Sequence, residues 1–177
     1  MKWLTLKDAA TIMISVSDNV AANLLIDLLG MEKIQQAIRS WGLTDTKLQR
    51  KMMDLESVAQ GRANLLSPYD MMVALEKIAD AEILDRNSCE IILDILSRTE
   101  FLPGLRIQIP ENIVIQHKTG DIADVCNDVG IVRIPGNPFI ICVMTKGASV
   151  AERWKTIGEV GKAFYDHLTS MGEKRIE

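Results

Sequence analysis

At 177 residues, the chain is sized for one domain, or one domain with a small extension. Its apolar fraction of 47% and charged fraction of 25% are those of an ordinary globular protein, which excludes low-complexity disorder. Lys plus Arg is 20 and Asp plus Glu is 24, giving a net charge of -4. No basic block or stripe appears, which argues against nucleic acid as a partner. No apolar run approaches the roughly 18 to 20 residues of a membrane span, so no membrane contact is expected. The N-terminal MKWLTLKDAATIM has neither an apolar h-region nor a small-residue cleavage site. It does not read as a signal peptide, and taken literally the chain stays in the cytoplasm. Three cysteines, Cys89, Cys126 and Cys142, with no C-x-x-C, exclude a disulfide framework and point to buried free thiols. Two histidines without an H-x-x-x-H spacing argue against a metal site, and no cofactor is implied.

The first two-thirds of the chain reads as helical. Thr5-Leu6-Lys7-Asp8 is a capping-box pattern followed by Ala9, Ile12 and Met13 at helical spacing. After a polar break at Ser15 to Asn19, a second helix is expected over about 20–29, stopping at Gly30. A third is expected over about 31–41, stopping at Gly42. Residues 43–66 show no sustained period and predict some 24 residues of loop, beyond the usual 12 to 15. Ser67-Pro68-Tyr69-Asp70 predicts a helix start with Asp70 closing the capping box. Asp85 is placed to cap the next helix, which Phe101-Leu102-Pro103-Gly104 breaks. The pattern then changes. Ile113-Val114-Ile115 predicts a strand reaching Lys118, and 129–134 and 139–145 are β-branched runs about a Pro135-Gly136-Asn137-Pro138 turn. Helical spacing returns over about 151–171 through Trp154, Ile157, Val160, Phe164 and Leu168. The expected fold is α+β: a helical region (1–110), then a three-stranded antiparallel meander and one C-terminal helix (111–177) in a single domain.

Two short signals carry chemistry. Ser17-Asp18-Asn19 lies at a helix-to-helix break, and Lys118-Thr119-Gly120 lies at the end of a strand, 101 residues later. Each alone reads as a helix cap or a turn. In this order and on these elements, they resemble the S-D-N and K-T-G motifs of class A β-lactamase-like serine hydrolases, relatives of the penicillin-binding proteins. The stretch from Met13 to Asn23, the segments Arg50-Lys51-Met52-Met53-Asp54 and Gly61-Arg62-Ala63-Asn64, and His117-Lys118-Thr119-Gly120 followed by Asn127-Asp128-Val129-Gly130 extend the resemblance over essentially the whole chain.

The family's nucleophile motif, S-x-x-K, does not occur: no serine is followed by lysine at the third position. Thr44-Asp45-Thr46-Lys47 has the spacing but lies in the loop region. The resemblance therefore implies the C-terminal two-thirds or so of a catalytic domain, without its first two strands, its nucleophile helix or its export signal; the family is normally exported. It also implies roles. Ser17 passes a proton to the leaving β-lactam nitrogen, a general-acid role, and Lys118 supplies fixed positive charge. Thr119 and Gly120 line the carboxylate site, Asn19 contacts the acylamide side chain, and the backbone N–H of Asp121 is one oxyanion donor. An acidic Asp121 there requires its side chain to point away from the substrate carboxylate, or an unusual substrate. Asp54 and Glu56 are the loop carboxylates nearest to the family's deacylating Glu, but neither matches its local pattern, so slow deacylation is expected. Arg153 reads as a surface helix residue rather than a carboxylate ligand, His117 as structural, and His167 as solvated.

The implied partner is a β-lactam or a peptidoglycan-like small molecule. Apolar faces left without the upstream helix, and a strand left as a sheet edge, predict self-association or complementation by an N-terminal segment. The resulting expectation is a serine β-lactam hydrolase acting through an acyl-enzyme, inactive as these 177 residues alone. The alternatives are a non-catalytic remnant serving as a binding module, or part of a penicillin-binding D-Ala-D-Ala peptidase.

Overall fold

The chain begins with three helices whose ends follow their capping residues. In the computed structural model, which describes residues 3–101 and 103–173, α1 (Leu6–Ser15) starts at Thr5. The Thr5 hydroxyl accepts from the Asp8 N–H at 3.1 Å, while the Asp8 carboxylate accepts from the Thr5 N–H at 3.0 Å. Helix α2 (Asn19–Leu29) is capped by Asp18 and ends at Gly30, and α3 (Met31–Ser40) follows directly.

The expected loop over 43–66 contains a short helix, α4 (Leu55–Ala59), which the lack of periodicity concealed. It is a single turn set up by Asp54, whose carboxylate accepts from the Ser57 N–H and hydroxyl at 2.9 and 2.6 Å. The rest of the loop is tied down by one backbone bridge, in which Lys47 and Leu65 exchange N–H···O bonds at 2.8 and 2.9 Å, and by side chains. Asn64 accepts from the N–H groups of Gln49 and Arg50 and donates to the Arg50 carbonyl. Asn23 on α2 makes a two-way pair with the backbone of Met52.

Helix α5 (Pro68–Ala79) starts at Ser67 as expected. Asp70, however, does not close a box. It is buried, and its carboxylate accepts from the Asp45 N–H, the Thr46 N–H and the Thr46 hydroxyl at 2.9, 2.7 and 2.7 Å. The long loop supplies unpaired backbone donors, and a buried carboxylate is more stable with three partners than with one. Helix α6 (Arg86–Leu96) is capped by Asp85.

The strands are β1 (Ile115–Ile122), β2 (Val125–Val132) and β3 (Phe139–Lys146), in the order β1-β2-β3 and antiparallel throughout. They differ from expectation in one respect. β1 runs on through Lys118-Thr119-Gly120, which therefore sits within the strand, and β2 begins at Val125. The two join by a tight hairpin in which Ala123 has φ +49°, an unusual conformation for alanine and one that no Asn-Gly or Gly signal announces. The β2–β3 turn at Pro135 to Pro138 forms as expected, closed by Asn137 N–H to the Ile134 carbonyl at 3.1 Å.

Alternation gives the sheet two faces. Ile115, Cys126, Val132 and Ile141 pack on Trp154 and Ile157 of α7 (Val150–Glu173) and on Leu105 of a 3-10 turn. On the other face, Val129, Ile131, Ile140 and Cys142 pack with Leu75 of α5 and Leu96 of α6. The architecture is thus α+β, with one helix behind a three-stranded sheet and the helical region in front. The cysteines are free thiols, Cys89 and Cys126 buried and Cys142 half-buried.

Candidate active site

Helix α1 packs on α6, and α6 packs on β1, so the α1–α2 break is delivered to the front face of β1. The segment just after α6 holds the two together. The Glu100 N–H donates to the Ser15 carbonyl at 3.0 Å, and the Thr99 hydroxyl donates to the His117 carbonyl at 2.6 Å. Two consecutive residues thereby link the last turn of α1 to the residue before Lys118. Neither was visible as a site residue in the sequence, because a Thr-Glu pair after a helix is ordinary.

Ser17 occupies the break with φ +56°. That left-handed conformation costs a residue with a Cβ roughly 1 kcal/mol. It is fixed on both sides: the Val16 and Asp18 N–H groups donate to the Ile12 carbonyl, and the Asp18 carboxylate caps α2 by accepting from the Ala21 N–H at 2.7 Å. The left-handed residue turns the Ser17 side chain toward β1, where the Lys118 ammonium donates to its hydroxyl. The same ammonium donates to the Thr119 carbonyl at 2.6 Å. Burial pushes the Lys118 ammonium below its ordinary value, an effect opposed by the negative charge of Asp128. A cation held this way can orient a hydroxyl and attract an anion.

The other sequence-predicted residues fall as follows. Asn19 is exposed in the first turn of α2, beside Ser17. Thr119 is buried and Gly120 exposed, both in the middle of β1. Asp121 lies on the face of β1 opposite Lys118, where its carboxylate faces the thiol of its cross-strand neighbour Cys126, with Sγ to Oδ1 at 3.7 Å. Its charge is thus directed away from the cation. Asp54 is engaged by Ser57 in capping α4, and those hydrogen bonds hold its carboxyl below the usual range. Glu56 is exposed and accepts from Gln60 Nε2 at 3.3 Å.

Arg153 corrects the expectation of a surface residue: it is 4% exposed. Its guanidinium donates to the Ala123 and Gly147 carbonyls and to the Cys126 sulfur at 3.1, 3.3 and 3.3 Å. It clamps the β1–β2 turn to the β3–α7 loop, which needs carbonyl acceptors that the sequence cannot reveal. His117 points to the α7 face, away from Lys118, and His167 is exposed on α7.

Comparison with known proteins shows the family and the fold. Residues 1–168 match the family described as the Beta-lactamase enzyme family. A β-lactamase of Streptomyces cellulosae is 28% identical over 153 residues, covering 83% of this chain and 49% of that protein. Among solved structures, a β-lactamase of Sphaerobacter thermophilus superposes with a TM-score of 0.85 at 29% identity, over 94% of this chain and 64% of the other. A mutant of PBP-A, solved as an acyl-enzyme complex with penicillin G, superposes with a TM-score of 0.83 at 30% identity, over 94% and 62%. The chain thus spans about half the length of the curated relative and under two-thirds of the solved chains.

Proposed function

Because the chain belongs to the β-lactamase enzyme family, we propose that its front face is the proton-relay and carboxylate-binding wall of a serine acyl-transfer site for β-lactams or peptidoglycan-like peptides. One observation carries this reading: the contact between the Lys118 ammonium and the Ser17 hydroxyl, made across 101 residues of sequence by two different elements. In this reading Lys118 attracts the substrate carboxylate and polarises Ser17, whose proton passes to the departing nitrogen. Thr119, through its backbone, and Gly120 line the carboxylate position, Asn19 meets the acylamide group, and the Asp121 N–H is one oxyanion donor. The attacking serine is not among these 177 residues, since no S-x-x-K occurs in them. Acylation then requires a segment that brings one.

Incubation of the 177-residue chain with a fluorescent penicillin, read by intact mass, should give no covalent adduct; a stable adduct overturns the assignment. Supplied with a family segment carrying S-x-x-K, the chain should become acylated. Ser17→Ala should then slow acylation by about 10²-fold or more. An unchanged rate would remove Ser17 from the mechanism.

Deacylation is proposed to be slow, as in a penicillin-binding protein. Asp54 is committed to capping α4 and Glu56 points to solvent, so neither is free to activate water.

The partner is proposed to be a segment, or a second copy, that covers apolar surface. Val20, Leu24 and Leu28 form an i, i+4, i+8 stripe on α2 and are all more than half exposed, and among the described residues no strand pairs with the outer edge of β3. Sizing at micromolar concentration should show association; a well-dispersed monomer counts against it.

A further inference from the structure

Two buried polar side chains lie behind Lys118, on the other face of the sheet. Asp128 of β2 is 0% exposed and His117 of β1 is 2% exposed. The His117 Nδ1 lies 2.9 and 3.1 Å from the two carboxylate oxygens. An ionised carboxylate only accepts, so Nδ1 carries the proton. The Leu105 N–H donates to Asp128 Oδ2 at 3.0 Å.

The backbone around the pair is cut to fit it. Gly104 takes φ +94°, and a Cβ there would stand 2.5 Å from Asp128 Oδ2. A Cβ on Gly130 would stand 2.5 Å from the Cβ of His117. Two glycines, on different elements, thus give up side chains to make room for one polar pair in a layer built mainly of apolar side chains. Such a pair is costly to bury and is not the most stable filling of a core.

Its position suggests its use. In the β1–β2 register, Asp128 is directly opposite Thr119, and His117 is directly opposite Gly130. The pair therefore flanks Lys118 in the β1–β2 register, at the levels of residues 117 and 119, while sitting on the other face of the sheet. Three ionisable groups around it respond to the same carboxylate. Its charge opposes the desolvation of Lys118 in front and of Arg106 on the 3-10 turn, and adds to the rise of the Cys142 thiol on β3.

We propose that the His117–Asp128 pair is a positioning unit for the Lys118-Thr119 segment: it fixes the strand where Lys118 meets Ser17, and Asp128 is the buried negative charge that Lys118 has behind it through the sheet. This rests on the reading of Lys118 as the site's working cation. The test is made without substrate, so that it stands apart from the test of function.

The ε-carbon of Lys118 is followed by NMR in lysine-labelled protein, its signal identified by loss in Lys118→Arg. Asp128→Asn keeps the shape and the acceptor for Leu105 but removes the charge. The Lys118 titration midpoint should fall in this variant relative to the unaltered chain, with circular dichroism unchanged. A midpoint that does not move in a folded Asp128→Asn protein overturns the proposal, whereas a merely structural pair predicts that result. If Asp128→Asn does not fold, the His117 ring nitrogens of the unaltered chain decide. Nδ1 should carry a proton that it donates to Asp128, and a bare Nδ1 overturns the proposal.

Discussion

The two halves of the molecule are finished to different degrees. Behind the sheet, Leu105, Ile115, Val132 and Ile157 are at most 1% exposed and form one continuous core with Trp154. In front, α3 buries no residue, and α1 and α2 bury only Ala9, Ser15, Ala21 and Ile26. Leu24, Leu28 and Leu29 of α2 remain about half exposed or more. Both halves carry apolar residues at helical or strand spacing. What separates them is that the back face of the sheet has α7 to cover it, whereas the first helices present more apolar surface than their neighbours take up. Hydrophobicity licenses burial, but it does not supply the second surface.

Mutations can test that contrast. The largest effect should come from Ile157→Ala, which empties a fully buried site: a loss of about 2–5 kcal/mol in urea unfolding. A cost close to that of a surface change would mean that the back core is not the stabilising one. Asp70→Ala comes next, because it strips three donors of Asp45 and Thr46 of their acceptor. The expected loss is about 1–3 kcal/mol, with faster proteolysis within 43–66. Leu24→Ser on α2 should change unfolding by about 0.5 kcal/mol or less, yet visibly reduce association on sizing. A large loss of stability there would show that the front face is already covered.

Two chemical readouts sharpen the same division. Burial lowers the Lys118 ammonium below its ordinary 10.5. Retention of a penicillin carboxylate should therefore weaken as pH rises, with a midpoint below that value; a midpoint above it contradicts the burial argument. The smallest effect concerns Cys142, whose thiol is pushed up to about 11 by burial and by Asp128. Its alkylation should be slow at pH 7 to 8, because the thiolate is scarce.

Much of this arrangement was legible before any coordinates. Thr5, Ser67 and Asp85 announce helix starts because a cap acts within four residues of itself. Lys118 and Ser17 were readable as a pair because their neighbours resemble a family motif. Features built from distant backbone groups were not. The turn at Ala123 carries no glycine. Arg153 looks like any helix arginine until the Ala123 and Gly147 carbonyls come within reach. Asp70 reads as half of a capping box, but the loop 25 residues upstream competes for it and wins. The Thr99-Glu100 link depends entirely on where α1 and β1 meet.

The backbone of Ser17 carries a further consequence. With φ at +56°, this position suits glycine better than any residue bearing a side chain. Ser17→Gly should thus raise the melting temperature while deleting the hydroxyl that Lys118 holds. Selection for a sturdier protein alone would drive this position toward glycine, so in the proposed reading its serine is kept for its hydroxyl at a cost in durability.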